Sequence, residues 1–176
     1  MPRLTIAQFK KRLQNIKLLA LDVDGVLTDD SIYFGADGFE LKKFNISDGL
    51  FIVLAMRAGL EIAIVSSRPS AATVTRMKDL GVKYVLQEMK DKVVMIQPLL
   101  KQLGLKYEDI AFVGNEILDI NLAKKAGVGI AVADSSKELM KVADFVTKKP
   151  GGRGAVREVL EYYFEAMEKE PKSYLR

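Results

Sequence analysis

Leu18-Leu19-Ala20-Leu21-Asp22-Val23-Asp24-Gly25-Val26-Leu27-Thr28 decides how this chain is read. Residues 18–23, LLALDV, form a short and nearly continuous apolar run, as in a strand buried on both faces of a parallel sheet. Two carboxylates at i and i+2, followed by glycine, leave that strand where its ladder must stop. Side chains two apart on a strand share a face, so Asp22 and Asp24 can point into one site. A pair of aspartates in a polar turn is the plainer alternative. A calcium loop is a poorer one, because the later ligand positions and closing glutamate of an EF-hand are missing.

Outward from this run, apolar stretches alternate with amphipathic ones. Further strands are expected at Glu61–Val65, Tyr84–Leu86, Ile110–Val113, Val128–Val132 and Phe145–Thr147. Helices are expected over Thr5–Asn15, from a Ser47 cap to Arg57, and from a Ser70 cap to the Leu80-Gly81 stop. More are expected over Met89–Leu103, Ile117–Ala126, Ser136–Val142 and Ala155–Glu168. Strand–helix alternation predicts an α/β fold of three layers, a central parallel sheet covered by helices on both faces. Such a sheet carries its functional residues at the carboxyl ends of its strands. One segment breaks the rhythm: Ser31–Phe44 reads as two β-rich runs around Gly35-Ala36-Asp37-Gly38, a hairpin with Asp-Gly at the turn. It would project from the functional end of the sheet. Residues 169–176 read as a tail leaving the last helix.

The 176 residues suit one domain, expected to span 1–176. With 49% apolar and 28% charged residues the composition is that of a soluble protein. No apolar run approaches the roughly 18–20 residues of a membrane helix. The basic N-terminus lacks the apolar core of a secretory signal, so a cytoplasmic protein is expected. The net charge of +4 is scattered and not clustered, which gives nucleic-acid binding little support. The chain has no cysteine and no histidine, which excludes thiol nucleophiles, disulfides, Ser-His-Asp triads, histidine zinc sites and phosphohistidine chemistry. Any catalysis falls to Asp, Glu, Lys, Ser, Thr or Tyr, with a hard cation on oxygen ligands if a metal takes part.

The run D-x-D-G-V-L-T after an apolar strand resembles the first motif of the haloacid dehalogenase superfamily, and further motifs follow in that superfamily's order. The resemblance implies that Asp22 attacks phosphorus to form an aspartyl-phosphate, and that Asp24 protonates the leaving alcohol and then activates water. A poor leaving group needs an acid while the attacking carboxylate stays ionised; two carboxylates beside a cation separate their protonation. Val65-Ser66-Ser67-Arg68 follows the second strand, and Ser66 matches the hydroxyl residue that holds the phosphoryl oxygens. Read alone, Ser66 is a helix cap. Lys92 matches the lysine that neutralises phosphate and nucleophile, with Lys90 a competing candidate. Gly114-Asn115-Glu116-Ile117-Leu118-Asp119 matches the acidic metal-binding motif but departs from it, since Gly-Asn-Glu stands where Gly-Asp-Asp is usual. The implied magnesium ligands are Asp22, Asp24, Asn115, Glu116 and Asp119. The lost charge at Asn115 predicts weaker metal binding.

Within the superfamily the chain resembles the branch of 3-deoxy-D-manno-octulosonate 8-phosphate phosphatases and of enzymes acting on nine-carbon sugar-acid phosphates. The resemblance rests on DVDGVLTD, Lys42-Lys43-Phe44, Ser47-Asp48-Gly49, Ser67-Arg68, Arg76 and Gly151–Glu158, and runs from about Ile16 to Glu161. It implies no large cap domain, a homotetramer built through the hairpin, and a place in lipopolysaccharide synthesis. It also implies a tail that can approach a neighbour's site. Thr28, Ser67, Arg68 and Arg76 are the implied substrate residues. The guanidinium forks suit a sugar-acid carboxylate, and arginine at 68 favours the eight-carbon substrate over the nine-carbon one. A non-catalytic assembly module, of which a relative also carries Gly-Asn-Glu, is the rival from another class. That relative has lost its nucleophile, whereas Asp22 and Asp24 are both present here.

Overall fold

A computed structural model describes residues 3–175; Met1, Pro2 and Arg176, the ends of the expected domain and tail, lie outside the described residues. The chain runs α1 (Ile6–Leu13), β1 (Leu18–Leu21), β2 (Tyr33–Phe34), β3 (Glu40–Leu41), α2 (Ile46–Arg57), β4 (Glu61–Val65), α3 (Ala71–Leu80) and β5 (Tyr84–Leu86). It continues through α4 (Lys92–Leu103), β6 (Ile110–Gly114), α5 (Ile120–Lys125), β7 (Val128–Ala131), α6 (Lys137–Val142), β8 (Phe145–Val146) and α7 (Ala155–Ala166).

The parallel sheet has the order β5-β4-β1-β6-β7-β8. β1 is fully buried and its residues alternate between two cores, as a period of two requires. Leu19 and Leu21 face Phe9, Ile52, Met77, Val159, Leu160 and Phe164 on the side of α1, α2, α3 and α7. Leu18 and Ala20 face Ile96, Leu100, Leu122 and Leu139 on the side of α4, α5 and α6. The three layers expected from the strand–helix alternation are therefore present. Successive strands leave β1 in opposite directions, β4 on one side and β6 on the other, which opens a crevice at its carboxyl end.

Several boundaries differ from the expectations. Asn45, not Ser47, caps α2, because its Oδ1 accepts from Ser47 N at 2.8 Å and Asp48 N at 3.1 Å. α4 starts at Lys92 instead of Met89, since Asp91 accepts from Val93 N and Val94 N and ends the preceding loop. Residues 117–126 divide into a 3-10 turn, Ile117–Asp119, and the shorter α5. The hairpin turn lies at Gly35–Gly38 with Asp37-Gly38 in it, as expected. Gly38 N donates to Gly35 O, Gly38 takes a left-handed φ of 76°, and Gly35 N donates to Phe39 O. The segment after α7 is not a tail leaving the fold. The chain reverses at Glu168 (φ 53°), a 3-10 turn forms over Pro171–Tyr174, and Arg57 Nη1 donates to Tyr174 O at 2.9 Å. Among the described residues no helix is long and apolar enough to cross a membrane.

Candidate active site

Three strand ends build one cleft. β1 delivers Asp22 while its backbone is still in the ladder, with Asp22 N donating to Val113 O at 3.0 Å. The chain then closes tightly, as the amides of Val26, Leu27 and Thr28 all point at Val23 O. Gly25, at φ 77°, lies so close to the Asn115 side chain that a Cβ there would overlap it. β4 delivers Ser66, whose N donates to Leu86 O and whose hydroxyl lies between the backbone N and O of Arg68 at 3.3 and 3.1 Å. β6 delivers Asn115. The cleft of ≈ 150 Å³ is lined by Asp22, Asp24, Asp30, Ser66, Ser67, Arg68, Lys92, Asn115, Glu116, Leu118 and Asp119. A wider groove of ≈ 550 Å³, behind the loop at Arg153 and Gly154, contains none of these groups. Size is a poor guide here, and converging polar chemistry marks the smaller cleft.

At its base Lys92, 3% exposed along its side chain, lies 2.8 Å from Asp22 Oδ1 and 2.6 Å from Asp119 Oδ1. Asp119 is wholly buried, and its other oxygen accepts from Asn115 N at 2.8 Å and Glu116 N at 3.0 Å. Gly114 makes this return possible, because a Cβ there would strike the Asp119 carboxylate. Burial drives the Asp22 carboxyl up to about 7; the Asp119 charge adds to the rise, and Lys92 and the Val23 N–H oppose it. Burial likewise raises Asp30, with help from the charges of Asp24, Glu116 and Asp134.

The hairpin closes one side. Lys42, just past β3, has only 2% of its side chain exposed and donates to Asp24 Oδ1. On the other side the Gly151-Gly152 loop backs the nucleophile turn: Gly152 N donates to Val26 O at 2.9 Å, and a Cβ on Gly151 would strike Gly25 O.

A haloacid dehalogenase-like hydrolase family model matches residues 85–160. The chain is 41% identical over 155 residues to the 3-deoxy-D-manno-octulosonate 8-phosphate phosphatase KdsC of Escherichia coli, covering 88% of this chain and 82% of that protein. It belongs to the family of 3-deoxy-D-manno-octulosonate 8-phosphate phosphatases. Solved relatives agree in fold. The Moraxella catarrhalis phosphatase, in complex with magnesium, phosphate and the free sugar acid, matches with TM-score 0.89 and 35% identity over 92% of this chain and 93% of that one. A cobalt-bound Haemophilus influenzae phosphatase matches with TM-score 0.88 and 33% identity over 94% and 99%.

Of the family residues read from the sequence, the cleft brings together Asp22, Asp24, Ser66, Ser67, Arg68, Lys92, Asn115, Glu116 and Asp119. Two lie elsewhere. Thr28 is wholly buried and closes the turn, accepting from Gly25 N and donating to Val23 O. Arg76 lies on α3 behind the hairpin, against Gly49, in a groove with Phe39, Lys42 and Asp79. Asp119 lines the base of the cleft, with its oxygens accepting from Lys92 Nζ and from the amides of Asn115 and Glu116. Glu116 accepts from Ile117 N at 2.8 Å and keeps its exposed position at the rim. Lys90, the competing lysine, does not line the cleft. Sequence reasoning assigned no site role to Asp30 or Glu40, and named Lys42 only within the Lys42-Lys43-Phe44 run of the family resemblance. Asp30 follows the first motif directly and carries a left-handed φ of 63°.

The donor set, all oxygen, fits a hard cation. Among the described residues no three acidic side chains converge closely enough to hold a metal. The cleft instead offers Asp22, Asp24 and the Asn115 Oδ1, which is buried without a hydrogen-bond partner. A buried carbonyl oxygen left unpaired is costly, and a bound cation would satisfy it.

Proposed function

We propose that the whole chain, residues 1–176, acts as one magnesium-dependent phosphatase domain that hydrolyses 3-deoxy-D-manno-octulosonate 8-phosphate through an aspartyl-phosphate on Asp22. The observation that carries this reading is the Lys92 ammonium 2.8 Å from Asp22 at the floor of a cleft shared with Asp24 and Ser66, in a chain of this phosphatase family.

An Asp22 oxygen attacks phosphorus as the bond to the sugar oxygen breaks, and the departing electron pair takes a proton from Asp24. Lys42 donates to Asp24 Oδ1, which leaves Oδ2 to carry that proton. Asp24, then ionised, takes a proton from water whose oxygen attacks the phosphoryl group. The Asp22–phosphorus bond breaks, giving inorganic phosphate and restoring the carboxylate. Ser66 and the neighbouring amide hold phosphoryl oxygens, and Lys92 balances their charge. Asp22, Asp24 and Asn115 would hold a magnesium ion, which would supply positive charge that keeps Asp22 ionised despite its burial. Arg68 and Ser67 meet the sugar acid, a guanidinium fork suiting its carboxylate; the Ser67 hydroxyl is buried without a partner, which supports a ligand role.

The assembly belongs to the same reading. Phe34 and Phe39 on the hairpin are 68% and 61% exposed, beside half-exposed Ile32, Tyr33 and Leu41. A two-stranded hairpin with so much apolar surface needs a partner, and a homotetramer joined there supplies one. A cytoplasmic location is kept.

The test is phosphate release from 3-deoxy-D-manno-octulosonate 8-phosphate with and without magnesium, with Asp22→Asn as the blank. Magnesium-dependent turnover well above the blank is expected. Faster turnover of nine-carbon sugar-acid phosphates would reassign the substrate, and none on any of them in a folded oligomer would favour an assembly module.

A further inference from the structure

Glu40 and Lys42 lie two residues apart at β3 and so share a face, and both turn inward. Lys42 reaches Asp24. Glu40 Oε2 accepts from Arg68 Nη2, its Oε1 accepts from Ser70 Oγ at 2.8 Å, and Lys42 Nζ lies 3.7 Å from Oε1. Ser70 is itself fixed as the cap of α3, so Glu40 is tied to a rigid element and not merely to another mobile side chain. Burial works to raise the Glu40 carboxyl, but the Ser70 hydrogen bond and the charges of Lys42 and Arg68 outweigh it and hold it below its ordinary value. Among the described residues the Arg68 guanidinium has no other hydrogen-bond partner, which leaves the rest of its fork for a ligand.

As a contribution to stability the pair counts for little, since the Arg68 side chain is 40% exposed. Orientation is where it matters. A free arginine loses much side-chain freedom on gripping a carboxylate, whereas one already held by a second acid has lost it beforehand. We infer that Glu40 is a specificity-positioning residue: without touching substrate, it holds Arg68 from the hairpin in the orientation that receives a sugar-acid carboxylate. The phosphate end of the substrate is left to Asp22, Ser66 and Lys92. This rests on the reading of Arg68 given under Proposed function.

The experiment measures, by calorimetry in magnesium, the affinities of wild type, Glu40→Gln and Arg68→Gln for two probes, the free sugar acid 3-deoxy-D-manno-octulosonate and inorganic phosphate. Both variants should bind the sugar acid about tenfold more weakly, the usual cost of losing a charge-assisted hydrogen bond, and bind phosphate as wild type does. Glu40→Ala should repeat the effect, which guards against a partial rescue by the glutamine oxygen. If Arg68→Gln weakens the sugar acid and neither Glu40 variant does, Glu40 has no positioning role. If the Glu40 variants weaken both probes equally, the residue is merely structural and the inference falls. If wild type fails to bind the sugar acid, or Arg68→Gln changes nothing, the substrate reading fails and takes the inference with it.

Discussion

Asp119 accepts a 2.6 Å hydrogen bond from Lys92, and this bond turns the lysine toward Asp22, 2.8 Å away on its other side. One ammonium thus serves two buried carboxylates. Removing it leaves both buried carboxylates without a counter-charge. Lys92→Met is expected to lower unfolding free energy by about 3–5 kcal/mol and to abolish turnover, as measured by urea denaturation and phosphate release. The double variant Lys92→Met/Asp119→Asn should recover part of that stability and none of the activity.

Asp22 is expected to trade stability for reactivity. Its folded carboxyl titrates near 7 against an ordinary 3.8, so the folded state favours the proton. The stability this confers is complete below 3.8 and is lost as pH rises through about 7. Asp22→Asn, which cannot ionise, should therefore be the more stable protein in metal-free buffer at pH 8, on the order of 2 kcal/mol, and should match wild type more closely near pH 4. Thermal melts at the two pH values check this, and the same variant should show no turnover.

Asn115 offers an amide oxygen where a carboxylate would add a charge. Asn115→Asp is expected to tighten magnesium about tenfold, since ligand charge is a main determinant of affinity for hard cations. A magnesium titration by calorimetry reads the change directly. An unchanged affinity would remove Asn115 from the ligand set.

Lys42 is, among the described residues, the one hydrogen-bonding partner of the Asp24 carboxylate. Lys42→Met should slow hydrolysis of the sugar-acid phosphate about 10- to 100-fold through misplacement of the acid. The loss should be far smaller for p-nitrophenyl phosphate, whose leaving group departs without a proton. Equal losses on both esters would place Lys42 outside the proton transfer.

The segment after α7 is expected to matter for folding first. A chain ending at Glu168 loses the bond from Lys169 Nζ to Ala58 O at 2.8 Å, that from Arg57 to Tyr174 O, and the Phe164–Tyr174 contact at 5.9 Å between ring centroids. A drop of roughly 1–2 kcal/mol in urea is expected. Lost activity at unchanged stability would show instead that the segment acts on a neighbour's site.

The central strands were legible because a strand buried on both faces is written as an unbroken apolar run, as in Leu18–Leu21 and Ile110–Val113. Asp22, Asp24 and Ser66 were legible because each ends such a run. Lys92 was not separable from Lys90 by chemistry; what decides is the Asp91 cap, which starts α4 at Lys92 and turns it inward. Glu40 and Lys42 were illegible for a different reason. Charged residues alternating with Phe39 and Leu41 look like a solvated strand face, and only the packing of the hairpin over the cleft reverses that reading. Asn45 hid behind Ser47 because both are good caps two residues apart. Arg76 carries the same guanidinium as Arg68, but its place on α3 directs it behind the hairpin, which no spacing in the sequence discloses.

The contact of Gly151 and Gly152 with the turn at Gly25–Thr28 joins parts of the polypeptide far apart in sequence. Domains take shape as they emerge from the ribosome, N-terminal parts first. Here the nucleophile emerges well before the loop that backs it. A nascent chain whose final helix is still in the exit tunnel carries Asp22 on an unbraced turn. Phosphatase activity is therefore expected only once the Gly151-Gly152 loop has emerged and docked, and a nascent chain stalled before that loop should not hydrolyse the substrate.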